Sequence, residues 1–192
     1  MSWEPELLFS TPIWKYQIDD IDNRTMEECA YALKSYEPGV IVSNQGGWQS
    51  VAFNYSDGED YHPILNKIVE LLSEIKLINP IEEVLDITSW ININAKYSYN
   101  ELHNHIGVCF SGVYYIKVPD GDCGNIGFKD PRPLVAGDFF FGQRYEGGGY
   151  YSYPPKEGML LLFPAFVDHM VRPNNTDKDR ISIAFNIMVK WI

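Results

Sequence analysis

The chain has 192 residues, 45% of them hydrophobic and 15% aromatic, which is one domain's worth and enough to bury a core without covalent staples. Its formal net charge of −11, with no cluster of Lys and Arg of the kind a phosphate backbone requires, argues against nucleic acid and anionic membranes as partners. The three cysteines Cys29, Cys109 and Cys123 form no CxxC pair, no apolar run reaches membrane-span length, and Met1 to Glu6 lacks the regions of a signal peptide. The expected location is therefore reducing and cytoplasmic.

Leu7 to Ile18 reads as a short edge strand or extended arm, broken at Pro12. Asn23 to Tyr36 places Met26, Cys29, Ala30 and Leu33 at helical spacing, with Asn23 as the cap and Glu27 and Glu28 near the positive end of the dipole. Gly39 to Tyr55 is a Gly- and Asn-containing segment in which Trp48 reads as packing. Tyr61 to Leu77 is the stronger helix, with Ile64, Ile68, Leu71, Leu72 and Ile75 on one stripe, stopped by Pro80.

Beyond Pro80 the period changes. Asp86 to Tyr97 is a strand in which Ile91, Ile93 and Ala95 alternate with Asn92 and Asn94. Phe110 to Val118 is a second strand, and short strands are expected at Gly127–Phe128 and across Ala136 to Gly142. Gln143 to Gly158, with three consecutive glycines and four tyrosines, reads as a mobile loop. Met159 to Val167 and Arg180 to Ile192 are the last strands. Helices followed by many short strands predict an α+β, mainly β fold, with helices on one face of an antiparallel barrel or jelly roll. The chain reads as a single domain over 1–192, with 1–80 an arm and supporting helices and 81–192 the β core.

Three of the four histidines fall in two places, His103-Asn104-His105 and, far along the chain, His169. Residues two apart on a strand share a side, so His103 and His105 can reach one ion. A third ligand from another strand closes a facial set with open positions, which suits a non-haem iron. Arg180, Ser182, Ala184 and Asn186 share one side of the last strand, and Ile181, Ile183, Phe185 and Ile187 the other. If the apolar side packs against the rest of the protein, the barrel receives a guanidinium and a hydroxyl. A cation there needs a counter-charge, which a dicarboxylate supplies. The plainer reading makes Arg180 a surface residue. Asn92 and Asn94 are equally readable as site-lining or as a solvated face, and Asp168, on the opposite side of a strand from His169, reads as a residue behind the ligands or on the surface, not as a ligand.

The order of His103-x-His105, Ser111-Gly112-Val113-Tyr114-Tyr115-Ile116, Phe128-Lys129-Asp130-Pro131-Arg132, Leu162-Phe163-Pro164 with His169, and Arg180-Ile181-Ser182 resembles the 2-oxoglutarate–Fe(II) oxygenases of bacteria and their phages. Gly46-Gly47-Trp48-Gln49-Ser50 and Leu8-Phe9-Ser10-Thr11-Pro12 are similar to that family as well. The resemblance runs over most of the chain and extends to the prolyl-hydroxylase-like superfamily. It implies a double-stranded β-helix, with Fe(II) held by His103, His105 and His169 and 2-oxoglutarate as co-substrate. It also implies that Arg180 pairs with the co-substrate carboxylate, helped by Ser182 and Tyr115, with Asn94 in the same cofactor-binding set. O2 and an unidentified prime substrate complete the reaction, in a host cytoplasm if the chain is phage-encoded, with a homodimer open. Tyr145, Tyr150 and Tyr151 are read as a substrate lid. The sequence departs from the family in one respect, having His105 where most members carry Asp or Glu. A cupin-type metalloenzyme and a catalytically silent metal-binding module stay open as alternatives.

Overall fold

Ile87, Ile91 and Ile93 are buried on one face of strand β5 (Ile81–Asn94), while Trp90, Asn92 and Asn94 line a cavity on the other. The same alternation sorts β12 (Arg180–Trp191), whose Ile181, Ile183, Phe185 and Ile187 are each 0% exposed on the helix side. Burying a side chain of this size is worth about 1.5–3 kcal/mol. Two adjacent strands with such a row have their register fixed, because a one-residue slip would turn every isoleucine toward the polar cavity.

The computed structural model describes residues 10–55, 61–75, 80–132 and 149–192. Its remaining elements are β1 (Trp14–Gln17), α1 (Asn23–Tyr36), β2 (Asn44–Gln45), β3 (Trp48–Gln49), β4 (Phe53–Asn54), α2 (His62–Glu74), β6 (Tyr99–His103), β7 (Phe110–Lys117), β8 (Ile126–Lys129), β9 (Tyr150–Tyr153), β10 (Met159–Pro164) and β11 (His169–Val171). One antiparallel sheet runs β1-β10-β7-β12-β5-β3, with β4 also on β5, and a second runs β2-β6-β11-β8-β9. From β5 onward the chain passes repeatedly between the two sheets, returning to the first at β7, β10 and β12. That is the double-stranded β-helix the sequence led us to expect.

The helices pack on the outer face of the larger sheet. Met26 and Ala30 of α1 and Ile64, Leu65, Ile68 and Leu72 of α2 join the isoleucines of β5 and β12 in one core. A second core, with Val113, Tyr115, Phe128, Leu161 and Phe163, lies between the sheets. Among the described residues no helix is long and apolar enough to cross a membrane.

Several expectations need correction. Asp22, not Asn23, caps α1, its carboxylate accepting from the Thr25 amide at 3.2 Å. Glu27 and Glu28 serve ion pairs with Lys117 and Arg24 rather than the helix dipole. The segment after Gly39 holds three two-residue strands, and Gly46 at φ +71° turns the chain from β2 in one sheet to β3 in the other. The first long strand starts at Ile81 and stops at Asn94. Tyr150–Tyr153, expected as loop, is strand β9, because its backbone pairs with β8 at the sheet edge. The strand expected across 136–142 and the loop residues 143–148, including Tyr145, lie outside the described residues.

Candidate metal centre

β6 carries His103 on the strand and His105 just beyond its end. His105 is held there by its amide, which donates to the Ala165 carbonyl at 2.9 Å. His169 opens β11, directly opposite His103 in register. The ligand atoms of all three lie within 4.8 Å of one another. Their rings sit 4.3 Å (His103–His169), 5.0 Å (His103–His105) and 5.2 Å (His105–His169) apart, centroid to centroid. Each offers one ring nitrogen to a common ion.

The ring nitrogens are already sorted. Nδ1 of His103 lies 2.7 Å from the Glu101 carbonyl oxygen, and Nδ1 of His169 lies 2.9 Å from that of Val167. A carbonyl only accepts, so both Nδ1 atoms carry the proton and both Nε2 atoms present a lone pair. Burial, joined by the charge of His103, pushes His169 down to about 3 and His105 down to about 4. His103 is lowered by burial as well, against its bond to Glu101 and the charge of Asp168. Three largely buried imidazoles, two of them with their Nε2 lone pairs left free by these bonds, fit a divalent transition metal, iron among them.

The cavity beside the triad is lined by Asn92, Asn94, Tyr115, Phe163, Arg180 and Ser182, among others. The structure thus brings Arg180, Ser182, Tyr115 and Asn94 into the same cavity as the histidines. Arg180 is 2% exposed, not a surface residue. One of its terminal nitrogens donates to the carbonyls of Cys123 at 2.9 Å and Gly124 at 2.7 Å, while its Nε finds no partner among the described residues. Burial lowers its pKa from the ordinary value, against the pull of Tyr115 and Cys123, yet a guanidinium keeps its proton. Burial pushes the Tyr115 hydroxyl up to about 12, opposed by Arg180. Asn94 and Ser182 stand opposite Arg180 and Asn92 across the β5–β12 ladder, and the Oδ1 atoms of Asn92 and Asn94 are buried without partners among the described residues.

Tyr150 and Tyr151 are not among the residues lining this cavity; Tyr150 packs under the Arg172 guanidinium. Trp48 packs against the core and donates to the Glu37 carbonyl at 3.0 Å. Trp90, Ser43 and Asn100 line the cavity without having been singled out. Trp90, 5.7 Å from the His105 ring, was legible by parity, since 90, 92 and 94 share a face. Ser43 and Asn100 come from short elements whose pairing the sequence does not declare.

The family model described as "Putative 2OG-Fe(II) oxygenase" matches residues 88–186, just over half of the chain. No curated protein matches the sequence. Among solved structures the chain is similar to a prolyl-4-hydroxylase of Pseudomonas putida, with 12% identity, 94% of each chain covered and a TM-score of 0.63. It is similar to the viral collagen prolyl hydroxylase of Paramecium Bursaria Chlorella virus-1, with 14% identity, 91% of this chain and 94% of that one covered and a TM-score of 0.62. HygX of Streptomyces hygroscopicus, solved with nickel and 2-oxoglutarate, gives 12% identity, 93% and 83% coverage and a TM-score of 0.63. These likenesses carry the fold, and the family match spans every residue of the cavity from Trp90 to Ala184. The chain belongs to the 2OG-Fe(II) oxygenases, enzymes that use non-haem iron and 2-oxoglutarate to oxidise a further substrate.

Proposed function

We propose that His103, His105 and His169 hold the iron, and that Arg180, with Ser182, Tyr115 and Asn94, seats a carboxylate of 2-oxoglutarate. The observation that carries this reading is the state of Arg180. A guanidinium 2% exposed, with an unpartnered Nε, lines a cavity in which none of the described lining residues is acidic. A buried cation without a counter-ion is costly, and a dicarboxylate removes the cost through charge-assisted hydrogen bonds.

Bound iron would supply the redox chemistry that couples oxidative decarboxylation of 2-oxoglutarate to hydroxylation of a C–H bond. The chain's own share is orientation and exclusion of water. The Cys123 and Gly124 carbonyls hold one end of the Arg180 guanidinium at the cavity wall, and its Nε is left without a partner among the described residues. Tyr115, its proton held by burial, stays a donor at neutral pH. Val113, Ile126 and Phe163 wall the space with apolar surface. A cupin-type centre would want a Glu soon after the histidine pair, where Ile106 to Cys109 stand instead.

We read 81–192 as the catalytic barrel and 1–80 as its brace, working as one domain. The net charge of −11 supports a partner other than nucleic acid, and an odd count of three cysteines with no CxxC pair supports a reducing cytoplasm. The test is anaerobic titration of the protein with Fe(II) and then 2-oxoglutarate, following the metal-to-ligand absorption band. The band should develop in wild type, and Arg180→Met should bind iron equally while losing 2-oxoglutarate affinity by roughly two to three powers of ten. Equal affinity in the two proteins would reject the Arg180 assignment.

A further inference from the structure

The cavity is short of negative charge. A divalent ion and the Arg180 guanidinium would place three positive charges in a space with no acidic side chain among its described lining residues, and a dicarboxylate returns two. A candidate for the missing one adjoins the histidines in the chain. Asp168 precedes His169, and its Oδ1 accepts a hydrogen bond from the Asn104 side-chain amide at 2.8 Å. Asn104 is the residue between His103 and His105. A side chain on the segment bearing one ligand therefore holds the segment bearing the other two.

The surroundings give Asp168 no other task. It is half-buried and forms no ion pair among the described residues. Its backbone carbonyl is separately engaged by the Lys129 amide at 2.9 Å. The neighbouring carboxylates are placed differently: Glu101 is exposed, and Asp130 is bound by Arg132. In a partly desolvated site a charge behind a ligand acts on the metal with little screening.

We infer that Asp168 is a positioning residue of the metal centre, supplying from outside the cavity the negative charge the three imidazoles lack and, through Asn104, fixing the His103–His105 segment against His169. This rests on the reading that the three histidines hold the metal. Moving the carboxylate out of the ligand set keeps its charge near the ion and leaves the ligand position to an imidazole.

The test is anaerobic equilibrium dialysis with Fe(II) at neutral pH, alongside the melting temperature of each metal-free protein. Asp168→Asn keeps the shape and an acceptor for Asn104 but removes the charge. Its dissociation constant for Fe(II) should rise by about tenfold or more, with the metal-free melting temperature little changed. Adding His105→Asp to that variant returns a carboxylate, now as a ligand, and should recover the affinity to within a few-fold of wild type. A structural role alone would not produce that recovery. Asn104→Ala leaves the charge and cuts the clasp, and should weaken binding less than Asp168→Asn. Wild-type affinity in Asp168→Asn, or no recovery in the double variant, would overturn the charge role. An unchanged constant in Asn104→Ala would overturn the clasp. Failure of the wild type itself to bind Fe(II) would instead reject the metal reading on which the inference stands.

Discussion

His169 is neutral in the folded protein down to about pH 3 and His105 down to about pH 4, because burial disfavours their charged forms. In the unfolded chain both titrate near the ordinary value of about 6.5. Above that value neither state binds the proton and stability is flat. Below it the unfolded chain takes up protons the folded one refuses, so stability falls as pH drops toward 4, by about 1.4 kcal/mol per pH unit for each histidine fully in that window. Melting of the metal-free protein from pH 7.5 to pH 4.5 should show this decline, and His169→Gln should flatten it; an unchanged slope in the variant would refute the assignment. That His103 and His105 come together was legible in the HxH spacing, although His105 stands just beyond the end of β6. The Asn104–Asp168 contact was not, because it depends on how β6 and the turn before β11 meet across the sheet, which no local pattern records.

At the scale of elements, β7 shows how tightly the barrel wall is built. A Cβ on Gly112 would lie 2.2 Å from Cζ of Phe185 and 2.7 Å from the Leu161 carbonyl oxygen. The ring could shift, but the β10 backbone could not without losing its pairing with β7. Gly112→Ala should therefore cost about 1–3 kcal/mol or more, read from the urea midpoint, whereas Asp22→Ala at the α1 cap should cost about 1 kcal/mol. A Gly112→Ala midpoint equal to wild type would show that the wall yields. Strong periods made α1, β5, β7, β10 and β12 readable. The two-residue strands β2, β3 and β4 and the edge strand β9 were not, since tertiary pairing, not local pattern, makes them strands.

For the whole molecule, iron and 2-oxoglutarate are ligands of the folded state alone, so they should raise its melting temperature. At about one hundred times the dissociation constant a ligand adds about 2.7 kcal/mol, or roughly 5–10 °C for a chain of this size. Thermal scans with Fe(II), with 2-oxoglutarate and with both should give the largest rise for both, and Arg180→Met should keep the metal's increment and lose most of the co-substrate's. A rise in Arg180→Met equal to wild type would contradict that division.

The larger sheet is joined at its centre by its latest strand. β12 is hydrogen-bonded to β5 along Arg180–Trp191 and to β7 along Ile181–Ile187, yet on the ribosome it follows both. At about 5–20 residues per second, β7 waits several seconds for the partner that covers its open edge. During that interval the nascent chain exposes the isoleucine row of β5 and two unpaired ladders, which makes it a client for chaperones and a hazard for edge-to-edge pairing. Ribosome-stalled chains ending at Asp179 should be cleaved rapidly by added protease and aggregate on release. Chains extended past Trp191 by enough linker to clear the exit tunnel should resist, and equal sensitivity of the two would show that the barrel closes without its central strand.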